Sequence, residues 1–332
     1  MAKIKTVFVY TMTSGLGDSL IMGDLMHKIE ALVPLSRCFM IHRSNPHVNI
    51  WKDDSDKGRF YNIFKVTDMF TLIHQLRGYR KSGAVVFGLQ MAPGSYQGFF
   101  LYALLKRLQA IDHIVDFNLI NADIVIPPEG DYILEMHLNQ VQKLLKLASI
   151  PLPMFNLTLP FNTNGIAVNA NVIGIHPWSR RGGLSFTWDD RQWLAVIQFL
   201  LDQDKKVVVF GKNNRFDAFR LWMTQALPEA SSIVYEPSLN VEHMVKQVAS
   251  FGGMISINSA PVPIGYALNK KMVILNGPTL DLWIPKNKNI ISLFDREAKY
   301  HGNDVSRHPD FPLVNRIKID DVLEGVQKMI GY

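Results

Sequence analysis

The sequence predicts an α/β fold of two doubly wound parallel sheets, and three observations carry that expectation. Apolar runs of strand length alternate with stretches of helical period along most of the chain, the pattern of strand–helix–strand units around a parallel sheet. The alternation occurs twice, on either side of a segment rich in proline and asparagine, "SIPLPMFNLTLPFNTNG". At 332 residues the chain also exceeds ordinary single-domain size,. The expected division is residues 1–160 and 161–332.

In the first half, "IKTVFVY" (4–10), "RCFMIH" (37–42) and "GAVVFGL" (83–89) read as strands, with helices near 17–33 and 96–109. Residues 131–148 place apolar side chains at helical spacing,. Proline disfavours helix at the residue before it, so the following segment reads as an extended connector. The second half repeats the pattern. Strands are expected at 172–177, 206–211, 232–236, 252–258 and 271–277, with helices near 189–202, 214–226 and 240–250 and a short one from 261. "IDDVLEGVQKMIGY" reads as a closing helix, its packing back on the first half left open. Two such sheets are expected to face a cleft at the carboxyl ends of their strands, where α/β proteins place ligands. The active site is expected there.

Apolar residues make up 48% and charged residues 19%, which suits packed cores rather than extensive disorder,. A single cysteine, Cys38, forbids an internal disulfide and removes any cysteine-based zinc site, so a reducing cytoplasm is expected,. Within "CFMI" it reads as a buried small hydrophobe. No signal-peptide pattern and no 18-residue apolar run occurs,. The net charge of +6 sits in scattered clusters, such as Arg77, Arg80 and Lys81, then Lys106 and Arg107. These fit a solvated helix face, or attraction to an anionic partner such as a phosphorylated substrate or an acidic lipid surface. No nucleic-acid-binding signature appears.

Three stretches carry chemistry. The first is "TSGLGDSLIMGDLMHKIEAL" (13–32), directly after the first strand. A dinucleotide fingerprint needs a third glycine where Leu20 stands and an acid at the end of the second strand, where "IHRSN" has none,. Two readings of Asp18 remain open. It is an N-terminal helix cap, or it is a general base beside Gly15 and Gly17, which let the backbone approach a ligand.

The second is "IGIHPWSRRGGLSFTWDDRQW" (173–193). Ser179, Arg180, Arg181, Gly182 and Gly183 follow a strand, and paired arginines there can neutralise a diphosphate leaving group. The alternative is a pair of surface arginines, and His176 reads as a packed histidine. The third is "ISINSAPVPIGYALNKKMVILNGPT" (255–279). Asn258, Ser259 and Ala260 open a short helix whose N–H groups suit phosphate, with Pro261 near its first position. The alternative is a plain cap by Asn258 or Ser259. The D-x-D letters at Asp54–Asp56 and Asp202–Asp204 lie in hydrophilic stretches and give no convincing metal spacing,.

Taken together these stretches resemble glycosyltransferase family 9, the bacterial ADP-heptose:lipopolysaccharide heptosyltransferases. "SGLGDSLIMGDLMHKIEAL" resembles the family's opening loop, and "DYILEMHLNQVQKLLKLASIPL" is similar to the helix before its interdomain connector. "VIGIHPWSRRGGLSFTWDDRQWLAVIQFL" resembles the phosphate loop and tryptophan-bearing helix of its donor domain. "FGGMISINSAPVPIGYALNKKMVILNGPT" resembles its signature segment. The resemblance implies a GT-B fold of two Rossmann-like domains, the first binding acceptor and the second binding nucleotide sugar, with no metal and no cofactor. It implies Asp18 as catalytic base, with Ser179, Arg180, Arg181, Lys212, Asn258, Ser259 and Ala260 at the donor.

The sequence departs from the family in three segments. The usual Asp-[ST]-Gly-x-x-His reads Asn258, Ser259, Ala260 and then Pro263, a lysine two residues before the tryptophan is Phe186, and "GKNNRFD" lacks an expected glutamate. These departures bear on which donor is bound, not on the fold. The expected activity is inverting, metal-independent transfer of a sugar, heptose or another, from a nucleoside-diphosphate sugar to a glycan such as lipopolysaccharide core. The expected location is cytoplasmic, with peripheral contact at the inner face of the inner membrane. The alternatives are a nucleotide-sugar-binding protein that no longer transfers, and a sugar-nucleotide epimerase.

Overall fold

The computed structural model describes residues 3–12, 15–42, 50–51, 59–89, 96–117, 122–147, 149–179, 186–228, 230–278, 283–298 and 313–331. The chain divides into two compact units, Met1–Pro160 and Phe161–Tyr332.

The first unit holds six parallel strands, β1 (Thr6–Met12), β2 (Ser36–His42), β3 (Phe60–Asn62), β4 (Val85–Leu89), β5 (His113–Asp116) and β6 (Ile124–Val125), in the order β3-β2-β1-β4-β5-β6. Its helices are α1 (Leu16–Leu32), α2 (Val66–Lys81), α3 (Tyr96–Arg107) and α4 (Ile133–Leu145). Val7, Phe8, Val9 and Tyr10 are all buried, as a central parallel strand covered on both faces requires. Alternation along β1 sends Val7 and Val9 toward Leu72 and Leu76 of α2 and Tyr102 and Leu105 of α3. Tyr10 faces the opposite way, its ring edge-on to His137 of α4 at 5.3 Å. Helix α1 packs on α4 and is apolar nearly all round, which fits its burial from Ser19 to Met26,.

The second unit repeats the frame with β7 (Asn169–His176), β8 (Lys206–Gly211), β9 (Ile233–Pro237), β10 (Phe251–Ile257), β11 (Lys271–Leu275) and β12 (Ile290–Leu293). They form a parallel sheet in the order β12-β11-β10-β7-β8-β9. Its helices are α5 (Asp190–Asp202), α6 (Phe216–Ala226), α7 (Val241–Ser250), α8 (Pro261–Ala267) and α9 (Ile319–Gly331). Trp193, Val196, Ile197 and Leu200 recur at helical spacing and are fully buried. Each large apolar side chain so buried contributes about 1.5–3 kcal/mol relative to exposure. Asp189 caps α5 by accepting the Arg191 N–H at 2.7 Å. The closing helix α9 packs on α5, β10, β11 and β12 of its own unit.

Five elements were not foreseen from the sequence: β3, α2, β5, β6 and β12. Strands of two to four residues carry too little periodicity to read. Helix α2 buries only Leu72 and Leu76 completely and leaves Phe70 exposed, so its apolar pattern is weak. The helix expected to reach residue 109 ends at Arg107, and Gln109 takes φ 55.

The connector is moored to α1. Lys28 Nζ donates to Asp24 and to the Asn156 carbonyl, and Asp24 accepts the Thr158 N–H at 3.2 Å. Burial pushes the Asp24 carboxyl up and the Lys28 ammonium down, each partly offset by its partner. Removing one member of such a pair leaves the other charge buried alone.

Candidate active site

Both sheets have the same strand order relative to their own chain sequence, so each reverses direction beside its first strand. The crevice outside the carboxyl ends at that reversal is where open α/β sheets bind ligands. In the first unit the reversal lies between β1 and β4, and in the second between β7 and β10.

At the first reversal, Gly15 is the N-cap of α1 in extended conformation and Asp18 stands at the third helical position. The Asp18 carboxylate accepts the Gly15 N–H at 3.3 Å, and the Ser19 hydroxyl donates to the Gly15 carbonyl at 2.9 Å. A Cβ at residue 15 would lie 2.8 Å from Asp18 Oδ2, so only glycine lets the carboxylate fold back this closely. Asp18 therefore has the hydrogen bond of a helix-initiating residue, and it is half-exposed in the first turn of α1 together with Gly17.

At the second reversal, His176 ends β7 and Ser259 follows β10. Ser259 Oγ lies 3.2 Å from His176 Nδ1 and donates to the Ile257 carbonyl at 3.0 Å. With the hydroxyl hydrogen on that carbonyl, the imidazole Nδ1–H is the donor to Oγ. The ring is enclosed by Trp178 at 5.8 Å and Phe210 at 5.4 Å, and burial lowers its pKa to about 4. It is a neutral hydrogen-bonding group rather than a charge. Gly211, at the end of β8 with φ +104, completes the enclosure, since a Cβ there would come within 2.4 Å of His176 Cδ2.

Around this buried ring the sequence-predicted donor residues are set on separate loops. Ser179 is half-buried after β7, Lys212 is exposed after β8, and Asn258, Ser259 and Ala260 are half-buried after β10. Arg180, Arg181, Gly182, Gly183, Asp54, Asp56 and Thr279 lie outside the described residues. Neither Asn258 nor Ser259 caps α8 through its side chain. Ala260 is the N-cap, with Pro261 in the first turn. The stretches 177–179, 212–214 and 258–260 contain no acid, so nothing in them repels a diphosphate.

The roles of Trp178 and Gly211 were missed in the sequence. Trp178 is buried between His176, Phe216 and Phe219, and it ties the loop after β7 to α6. A cavity of about 490 Å³ lies elsewhere in this unit, beside Trp188, Asp189, Arg191, Arg215, Trp222 and Asn315. None of the sequence-predicted site residues lines it. Among the described residues no group of three or more His, Cys, Asp or Glu is arranged to hold a metal, and no helix is long and apolar enough to cross a membrane.

Comparison with known proteins places this frame. Residues 134–308 match the family model for glycosyltransferase family 9 (heptosyltransferase). The family 9 glycosyl transferase from Veillonella parvula DSM 2008 is 12% identical, with TM-score 0.68, covering 99% of this chain and 98% of that one. E. coli ADP-heptose lps heptosyltransferase II is 16% identical, with TM-score 0.61 and coverage of 97% and 98%. E. coli heptosyltransferase WaaC with ADP-2-deoxy-2-fluoro heptose is 14% identical, with TM-score 0.61 and coverage of 97% and 99%. No curated protein sequence matches the chain. At such identities the structures establish the GT-B fold, while the family model spans more than half of the 332 residues. The chain belongs to glycosyltransferase family 9 and is a heptosyltransferase-like glycosyltransferase.

Proposed function

We propose that the enzyme transfers a sugar, heptose or another, from a nucleoside-diphosphate sugar to a glycan such as lipopolysaccharide core, with inversion and without a metal. The observation that carries this reading is that the turns 177–179, 212–214 and 258–260, which follow β7, β8 and β10, contain no acid and lie beside the neutral His176–Ser259 pair. Lys212, Ser179, Asn258, Ser259 and Ala260 face the donor, and Arg180 and Arg181 join them on sequence grounds. In the first unit Asp18 takes the proton of the acceptor hydroxyl. The hydroxyl oxygen bonds to the anomeric carbon from the side opposite the diphosphate, the carbon–oxygen bond to the diphosphate breaks, and the configuration inverts. The cationic and amide groups offset the charge that develops on the leaving group. The proposed location is the cytoplasm, where nucleotide sugars are available.

Incubation with ADP-, UDP- and GDP-sugars, with and without deep-rough lipopolysaccharide, tests the reading. Release of nucleoside diphosphate should require the acceptor, persist in EDTA and give a product of inverted anomeric configuration. Thermal stabilisation by a nucleotide sugar with no acceptor-dependent release would instead make the protein a binding module. Product formed with no acceptor present would make it an epimerase.

A further inference from the structure

We propose that Trp51 is a positioning residue for glycosyl transfer, its indole N–H fixing the first turn of α1 and with it the carboxylate of Asp18. The proposal rests on the reading of Asp18 as the base. Trp51 lies between β2 and β3 in the sequence, well after α1, yet its Nε1 donates to the Ser19 carbonyl at 2.8 Å and its ring is buried. An indole joins an apolar body to one polar atom, and α1 engages both.

The sequence of α1 makes room for the ring. A Cβ at Gly23 would stand 2.3 Å from Trp51 Nε1 and 2.4 Å from its Cδ1, so the indole lies directly against the helix backbone, where any larger residue would displace it. His27, one turn further along α1, packs on the indole with ring centroids 5.2 Å apart, and its Nδ1–H donates to the Gly23 carbonyl at 2.8 Å. Gly15 and Gly23 thus serve one end. The first lets Asp18 fold back on the helix start, and the second lets Trp51 reach the carbonyl beside it.

That carbonyl belongs to the residue after Asp18 and closes a short network. Asp18 accepts the Gly15 N–H at 3.3 Å, and the Gly15 carbonyl accepts the Ser19 N–H at 3.1 Å and the Ser19 hydroxyl at 2.9 Å. The Ser19 carbonyl in turn accepts the indole. A helical carbonyl already takes the N–H four residues on, so the indole occupies its second lone pair and displaces no helix bond. The first turn is where a helix frays, because its N–H groups have no partner within the helix. Fraying here would swing the Asp18 carboxylate away from the acceptor hydroxyl, and a misplacement of about 1 Å is enough to lower a rate roughly a hundredfold. A buried donor from outside the helix removes that freedom.

Acceptor-dependent release of nucleoside diphosphate by the full-length protein tests the proposal, with deep-rough lipopolysaccharide and whichever of the ADP-, UDP- and GDP-sugars supports release. Trp51→Phe should lower kcat by about ten- to a hundredfold and leave the KM for the nucleotide sugar unchanged. Benzothienylalanine at position 51 keeps the shape of the indole and puts sulfur in place of its N–H. It should lower kcat as far, with the melting temperature close to wild type, and it decides the matter if the phenylalanine variant folds poorly. His27→Ala removes a neighbour of the ring but not its N–H, and should turn over like the wild type. On an Asp18→Asn background the benzothienyl change should have no further effect, because a residue that acts through another adds nothing once that one is gone. Full turnover with benzothienylalanine, or an equal fold loss on both backgrounds, overturns the proposal and leaves Trp51 as packing. Wild-type turnover by Asp18→Asn overturns the base reading instead, and absence of release by the wild type overturns the transfer reading; the proposal falls with either.

Discussion

The reversal points of the two sheets share one strand order and carry opposite chemistry. After β1 the chain turns into α1 through Gly15, and the side chain it presents is a carboxylate, Asp18, held on the Gly15 N–H. After β7, β8 and β10 it presents a buried neutral imidazole, a hydroxyl and an exposed lysine, with no acid in the turns 177–179, 212–214 and 258–260. The means of fixing each point differ as well. The first relies on hydrogen bonds of the helix terminus and on the Asp24–Lys28 pair that moors α1 to the connector. The second relies on ring packing around His176. The frame is common to both, and what each end can do is set by a few loop residues. In the proposed reaction one end accepts a proton and the other steadies an anion.

The division of labour breaks most visibly at Asp18. Asn keeps the side-chain oxygen that can accept the Gly15 N–H, and so keeps the cap, but it cannot take a proton. Asp18→Asn should lower kcat by about 10²–10⁴, roughly 3–5 kcal/mol of barrier, with the KM for the nucleotide sugar little changed. Stability should fall by no more than about 1 kcal/mol, the usual worth of a charge at a helix terminus. Near wild-type turnover would make Asp18 a cap and nothing more, and the first unit would need another base.

These two ends were unequally legible in the sequence. Composition and alternation were enough to place β1, β2 and β4 of the first sheet, β7 to β11 of the second, and the helices that bury continuous stripes, because a strand covered on both faces must be apolar throughout,. The loop after β1 could be found because a glycine and an acid stand directly between a strand and a helix. Which role Asp18 plays could not be read, because a cap and a base require the same residue at the same place. The His176–Ser259 contact was hidden for a different reason. It joins residues 83 positions apart, and only the crossover that sets β7 beside β10 brings them together. Gly211 looked like a turn residue, and its second task, leaving room for the imidazole, appears only once β7 and β8 are paired.

Gly211 sharpens the comparison by testing whether ring packing governs the second point. Alanine there must adopt φ near +104 and place its methyl group against His176. Left-handed backbone costs about 1–2 kcal/mol for a residue with a Cβ, and overfilling a packed site a further 1–3. Gly211→Ala should therefore lower unfolding free energy by about 2–4 kcal/mol, read from the urea midpoint, and raise the KM for the nucleotide sugar more than it lowers kcat. A loss below about 0.5 kcal/mol would mean that the ring moves aside freely and that its enclosure is not what holds the loops.

The smallest effect separates the ends by pH. His176 has a folded pKa of about 4, against an ordinary 6.5. The folded protein keeps the ring neutral while the unfolded chain takes up a proton as pH falls below about 6.5. The stability this group confers is fully present above that pH and is lost progressively as pH falls toward 4. Between pH 7 and 5.5 the loss from this one group is about 1 kcal/mol. His176→Asn places an amide where Nδ1 stood, able to keep the bond to Ser259, and cannot titrate. Urea midpoints of both proteins at the two pH values therefore isolate the group, since every other titrating residue contributes equally to each. The wild type should lose about 1 kcal/mol more than the variant. Parallel losses would show that the imidazole reaches solvent and can be charged in the folded protein, in which case the second reversal point would carry a titratable cation at the donor loops and the contrast with Asp18 would be one of charge sign alone.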